Sequence, residues 1–500
     1  MKGNFLKSIL YSYGSVIFTS LMGFITLPLS LNYFGKDLFG LFSITNDTLA
    51  YLALFNFGIP WATATIFAKL LNYRAQKELL FKSLKLLFLL CLVMACVVSV
   101  VTFLYPNWIH FIAQINTNIL PLAKLFISIS VVFFIIRLPF SLFGQLLIFI
   151  NRVYISKIID ILSSMLTFSS LLVVIYFKLS LVQYAIINGF ISLIPLFLSI
   201  IFFMRIWRRE SLTDLVCTSE GISYRHLMNS SFYFFLNGIG GLIIWNTDSL
   251  VISHYLGLGE TAEYAVMFKF FTILFMIITQ IMNVVNPLFP KFIKENKRDK
   301  LSQLFNVLIR IFPVVGGFIL IVIFGFFKEF VILWTHNSNI FIGSLSCFAM
   351  GLYCYFLCSS IVPYSAVVSL NYAKEIYKLT LLEAIANLVL SIYLVTKIGV
   401  AGVVFGTLIA HVVTMFILVP LKLDKLMPNL FKFNFFFVIK HIVFVIIPVS
   451  CMIYYLNMYS FNLMKFLLFI LVFAFYFFAS SIIVGKKNIL EILQLIKVLK

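Results

Sequence analysis

The chain has 500 residues, of which 62% are hydrophobic and only 11% charged, with a formal net charge of +20 and a mean hydropathy of +1.10. Ordinary soluble domains are nearer ~45–50% apolar and ~25% charged, so most of this surface must face lipid and a pair of soluble domains is excluded. The positive charge sits in short loops, none long enough to fold into a nucleic-acid recognition module, so no nucleic-acid partner is expected.

A bilayer-spanning helix needs ~20 mostly apolar residues. Taken in chain order, such runs lie near 9–31, 38–60, 83–105, 119–149, 154–177, 182–204, 229–256, 262–289, 304–326, 340–368, 375–396, 399–420, 435–456 and 463–484. The split between spans eleven and twelve rests on Lys397-Ile-Gly399, read as a tight turn. The N-terminal stretch lacks a small-residue cleavage site and is expected to be a retained first helix. With the N-terminus placed in the cytoplasm, 29 Lys and Arg residues fall on the inner side and five on the outer: Lys36, Lys178, Lys328, Lys397 and Lys465. That asymmetry predicts cytoplasmic N- and C-termini. The expected fold class is an all-α polytopic membrane protein of about 14 transmembrane helices.

The halves repeat. Tyr33-Phe-Gly35 and Gly40-Leu-Phe42 follow span one, and Tyr255-Leu-Gly257 and Ala262-Glu-Tyr264 follow span seven, at a constant offset of 222. Asp160 and Glu383, Pro139 and Pro363, and Lys178 and Lys397 correspond within a few residues. Two six-helix bundles are expected, 1–205 and 229–421, joined by a cytoplasmic linker at 206–228. Six spans per half orient both alike, which implies a pseudo-twofold axis along the membrane normal. Residues 422–500 add a two-helix hairpin and a tail.

Six plus six spans, the Tyr-x-Gly turn after the first span of each half and a basic inner face resemble the MOP exporter superfamily. Within it the chain is most similar to the polysaccharide repeat-unit (O-antigen type) flippases. That resemblance implies transport of undecaprenyl-pyrophosphate-linked oligosaccharides from the cytoplasmic to the outer leaflet of a bacterial inner membrane. It implies lipid-linked oligosaccharide and membrane lipids as partners, together with the polysaccharide assembly machinery, meaning a polymerase and a chain-length regulator. A multidrug/cation antiporter of the same fold is the alternative. A membrane-embedded sugar polymerase or ligase fits less well, because no outer loop is long.

No phosphate-binding G-x-x-x-x-G-K-[ST] loop, zinc spacing or nucleophile elbow is present, so no catalytic residues, metal or cofactor is expected. The informative residues are the ionisable ones inside spans. Arg137, mid-span four, is expected either to line a substrate cavity, where a guanidinium binds pyrophosphate bidentately, or to bond a neighbouring helix. Lys124 on the same span is expected to snorkel. Asp47 and Lys269 are repeat equivalents, and an outer gate in which Asp47, with Asp248, pairs with Lys269 stands beside a fixed ion pair within one half. Lys269 could also contact a substrate anion. Asp160 has Lys157 at i−3, favouring a local salt bridge over ion coupling; Glu383 carries the same coupling alternative. His411 has a titratable imidazole, a type more often found as a satisfied core residue. Pro28 and Pro139 are expected hinges.

Overall fold

The computed structural model describes residues 2–67, 73–105, 108–111, 113–115, 117–150, 152–211, 224–286, 288–370, 372–428, 430–431, 433–456 and 463–485. All secondary structure among them is helical. Most of the expected linker, Cys217, and the tail beyond Gly485 lie outside the described residues. Among the described residues, twelve helices are long and apolar enough to cross a membrane. At the expected places of spans seven and eight stand helices Tyr224–Tyr255 and Leu258–Val285, of 32 and 28 residues. At 1.5 Å per residue each exceeds the ~30 Å of a hydrocarbon core. The chain is a multi-pass membrane protein. It divides into two compact units, one through Ala262 and one from Glu263 onward.

The first unit holds helices Lys2–Phe34, Lys36–Asn56, Tyr73–Leu104, Leu120–Phe149, Val153–Tyr176, Leu181–Arg208 and Tyr224–Tyr255. The Tyr-x-Gly turns have a backbone reason. Gly35 has φ +81° and Gly257 φ +103°, conformations that L side chains rarely adopt, so each glycine ends one span and starts the next within a residue. The two turns also meet. A Cβ on Gly40 would lie 2.1 Å from the Leu258 carbonyl oxygen, and Gly259 is packed against Lys36 and Asp37. The Gln114 N–H donates to the Ser253 carbonyl at 2.9 Å alongside. Between spans five and six, Ser180 and Gln183 form a reciprocal capping box that satisfies two helix-end donors.

In the second unit the spans are Arg298–Thr335, Ser344–Ser369, Ala373–Ile398, Val400–Leu426, Phe435–Leu456 and Leu463–Val484, following helix Leu258–Val285. Spans nine, ten and twelve are about two-thirds or more buried (67%, 72% and 67%), whereas span eleven is 28% buried. The first three therefore form the interior, and span eleven turns a broad apolar face, including Ile385 and Val389, outward. The Lys397-Ile-Gly399 punctuation is a turn, with Gly399 at φ +62°. Spans eleven and twelve then pack backbone to backbone. A Cβ on Gly402 would approach the Leu394 carbonyl oxygen to 2.2 Å, and one on Gly406 the Ser391 nitrogen to 2.6 Å. Such close contact needs glycine, and it supplies the dispersion energy that helix association in lipid requires. The last two spans are seated on span nine. Tyr476 fills a notch at Gly317 and Phe469 one at Gly325, while the Tyr476 hydroxyl donates to the Val314 carbonyl. Buried His441 bridges Tyr355 (3.0 Å) and Ser480 (3.1 Å).

Candidate functional site

Two helices of the first unit break at membrane depth, and the breaks touch. Span two passes from an α-helix into a 3₁₀ turn at Ala53–Asn56. It then bends through Phe57 (φ 49°) and Gly58 (φ 71°) before resuming at Ile59. The Asn56 side-chain oxygen accepts from the Gly58 N–H at 2.8 Å, closing an Asx turn of the kind that competes with helix. Span four ends its α-helix at Arg137 and runs through a 3₁₀ turn at Leu138–Phe140, because Pro139 lacks an N–H and its ring crowds the preceding turn. The two 3₁₀ turns are in contact. A cavity of ≈ 340 Å³ opens at the span-two break, lined by Asn56, Gly58, Trp61, Phe235, Gly238 and Leu242. Irregular backbone at this depth is tolerated only where it is buried or lines a cavity.

Arg137 sits directly before the span-four break. Its side chain is exposed and has no ion-pair partner among the described residues. The residue lies 17 positions from the start of the span and 12 from its end, so roughly 18 Å or more of helix separates it from either face. A guanidinium there requires water or an anion. Toward the start of span two, Tyr51 hydrogen-bonds Thr247 at 2.5 Å. Asp47 is bonded to Ser249 and feels the charge of Asp248. One carboxylate oxygen of Asp47 is buried without a hydrogen-bond partner, and Asp248 is itself buried. The structure thus brings Asp47 and Asp248 together.

The remaining candidates are placed separately. Lys269 belongs to the second unit, half-buried on helix Leu258–Val285, with no ion pair among the described residues. Asp160 pairs with Lys157 at 2.8 Å, at a half-exposed position. Pro28 lies inside the unbroken helix Lys2–Phe34. Glu383 is buried in the second unit and bonded to Nδ1 of His411 at 2.6 Å, and His411 Nε2 reaches the Ser360 hydroxyl at 2.8 Å. One turn along, Asn387 Oδ1 accepts from Ser391 at 2.9 Å and Thr407 at 3.0 Å. The union of Glu383 with His411 was not read from the sequence. The signal was present, since counting back and forward from Gly399 puts the two residues within about one turn of the same depth on antiparallel neighbours.

These features belong to a recognisable lineage. The family described as "Polysaccharide biosynthesis protein" matches residues 5–293, more than half of the chain. The chain belongs to that family. A curated relative, the "Putative O-antigen transporter" of Salmonella typhimurium, is 27% identical over 203 residues, which is 40% of this chain and 46% of the relative. The match thus spans under half of the relative's length. The solved structure of the lipid II flippase MurJ in an inward closed conformation superposes with a TM-score of 0.68 at 18% identity, covering 95% of this chain and 99% of that one. An inward-facing multidrug resistance MATE transporter of the MOP superfamily gives 0.63 at 13% identity, covering 84% and 96%. Likeness at such identities is of fold. The resemblance read from the sequence therefore holds at the level of family and fold.

Proposed function

We propose that this family member is a flippase that moves undecaprenyl-pyrophosphate-linked oligosaccharide repeat units from the cytoplasmic to the outer leaflet of a bacterial inner membrane by alternating access, with both termini cytoplasmic. The observation that carries the reading is Arg137, an exposed guanidinium without an ion-pair partner, held deep in a span beside two touching helix breaks. A planar fork of donors suits a pyrophosphate, which it can hold bidentately. Lys269 is a second cation for the substrate's negative charge, and the Asp47–Asp248 pair is the charge-sensitive element of a gate. Pro139, and Pro28 on span one, are the hinge positions. The two six-span halves and the appended hairpin are taken as the working units, and the polymerase and chain-length regulator as neighbours in the pathway. The work done is transport, with no covalent step.

One observation favours a second reading, a cation or drug antiporter of the same fold: the Asp47–Asp248 carboxylates would attract a cationic substrate. One experiment separates them. The gene is deleted in its host, and the strain is complemented with wild type, Arg137→Lys or Arg137→Ala at matched protein levels. A flippase predicts lipid-linked repeat units trapped on the cytoplasmic face, restored surface polysaccharide with wild type, partial restoration with Arg137→Lys and at least a tenfold loss with Arg137→Ala. Normal polysaccharide in the deletion strain, with new sensitivity to cationic drugs, would favour the antiporter.

A further inference from the structure

We propose that Glu383, His411 and Ser360 form a proton-binding site in the second unit, through which transport is coupled to protons. The proposal rests on the transporter reading for its coupling, but the site stands on its own geometry.

Glu383 is 3% exposed and His411 7%. Both lie near mid-membrane, about 22 Å and 17 Å along their helices from the Gly399 turn. An isolated ionised carboxylate is strongly disfavoured there. The Nδ1–Oε1 distance of 2.6 Å lets one extra proton serve both groups. A carboxylate with a doubly protonated ring is neutral overall, and so is a carboxylic acid with a singly protonated ring. Removing that proton leaves one buried negative charge on the pair.

Ser360 makes both proton states satisfiable. Its oxygen lies 2.8 Å from His411 Nε2 and 3.2 Å from the Leu357 carbonyl. The hydroxyl has a single hydrogen. Given to Leu357, it leaves the Ser360 oxygen to accept from Nε2–H. Rotated toward the ring, it donates to a bare Nε2. A purely structural ion pair has no use for such a rotor. His441 is the internal contrast: it is equally buried and bonded on both nitrogens, but it has only hydroxyl partners and no carboxylate.

Among the described residues, no charged side chain touches the pair. From span ten, Tyr353 presents its ring at 88° to that of His411, at 5.4 Å, and Tyr364 lies near Glu383. Cys358 on the same span packs instead on Gly316. On span eleven, Lys378 is exposed, about 8 Å along the helix. Lys422, Asp424 and Lys425 on the continuation of span twelve are about 16 Å or more away along the axis. No Lys or Arg pairs with Glu383 among the described residues. One turn away, Asn387 has spent its oxygen on two hydroxyls, and its amide nitrogen is buried without a partner. Amide donors oppose a metal cation. The backbone also changes here, since span twelve passes into a π-helical turn at Val412–Leu418, directly after His411. Such turns shift hydrogen-bond register and recur at functional sites.

The test uses the full-length protein. Thermal unfolding midpoints are measured across pH in detergent, with sodium or choline at constant ionic strength, and the carboxylic-acid C=O infrared band is followed in parallel. Flipping of lipid-linked oligosaccharide is measured in proteoliposomes with an imposed pH or sodium gradient. Wild type should show a pH-dependent midpoint indifferent to sodium, and flipping should accelerate severalfold with the pH gradient alone. Glu383→Gln and His411→Gln should flatten the pH dependence and remove the acceleration, and Glu383→Gln should lose the infrared band. Ser360→Ala, which spares the pair, should displace the midpoint-versus-pH curve, so the proposal stays testable if the pair variants do not fold. A midpoint that follows sodium and not pH, or an undiminished gradient response in Glu383→Gln, overturns the proposal. A Glu383-dependent pH response in a wild type that flips no lipid-linked sugar would uphold the proton site, overturn its coupling and sink the flippase reading separately.

Discussion

Gly40 gives the sharpest handle on motion in the first unit. A Cβ there would lie 2.1 Å from the Leu258 carbonyl oxygen, against the ~3.5 Å of ordinary contact. Gly40→Ala must therefore push the backbones at Gly40 and Leu258 apart by roughly 1.4 Å, and no side-chain rotation can relieve it. Overpacking of this kind costs ~1–3 kcal/mol. Charged against the packed arrangement of the two turns, that is about a 5–150-fold shift toward the separated one. Ser253 reports on it, being fully buried beside these turns with its carbonyl bonded to Gln114. In a chain whose seven cysteines are replaced, Ser253→Cys should react slowly with a membrane-impermeant maleimide applied to intact cells. Adding Gly40→Ala should raise the labelling rate at least fivefold. Gly14→Ala, with nothing within 4 Å of the new Cβ, should leave it unchanged. Equal labelling with and without Gly40→Ala, at normal protein levels, would show that the turns do not need this close approach.

Two further outcomes follow from the packing and the charges. Gly402→Ala, whose Cβ would approach the Leu394 carbonyl oxygen to 2.2 Å, should lower stability by ~1–3 kcal/mol in a detergent unfolding titration, while Gly144→Ala, with no neighbour within 4 Å, should be neutral. Lys157→Met should change stability by no more than ~0.5 kcal/mol, because its partner Asp160 is 46% exposed and partly exposed i,i+3 pairs contribute little; a larger loss would mean that Asp160 does more than pair locally.

What could be read in advance followed from the strength of each signal. Hydropathy over ~20 residues is a large summed quantity, and each of the fourteen expected spans coincides with helix in the structure, including the difficult division at Gly399. The break in span two was missed. Asn56-Phe57-Gly58 carries turn chemistry, but it is only three residues inside an apolar run, and a hydropathy window averages it away. Pro139 was legible as a break because proline removes a backbone donor and crowds the preceding turn, although Pro28 lies in an unbroken helix, so the residue alone does not decide the outcome. The π-helical turn at Val412–Leu418 runs into Pro420, a backbone signal that an apolar run hides from a hydropathy window. The pairings were harder still. Asp47 with Asp248 and Glu383 with His411 each join residues from different helices, so their partnership depends on rotation about helix axes that periodicity in a uniformly apolar span does not record.

The two glycine notches on span nine carry an implication for synthesis. Tyr476 and Phe469 occupy them, yet both residues leave the ribosome some 150 residues after the surface they fill. Until then the groove at Gly317 and Gly325 is held by lipid tails, which cannot follow its contour. Insertion of the final hairpin must therefore expel lipid from a surface that is already folded. A nascent chain halted before Phe435 should expose a sticky seam, one that quality-control proteases could recognise.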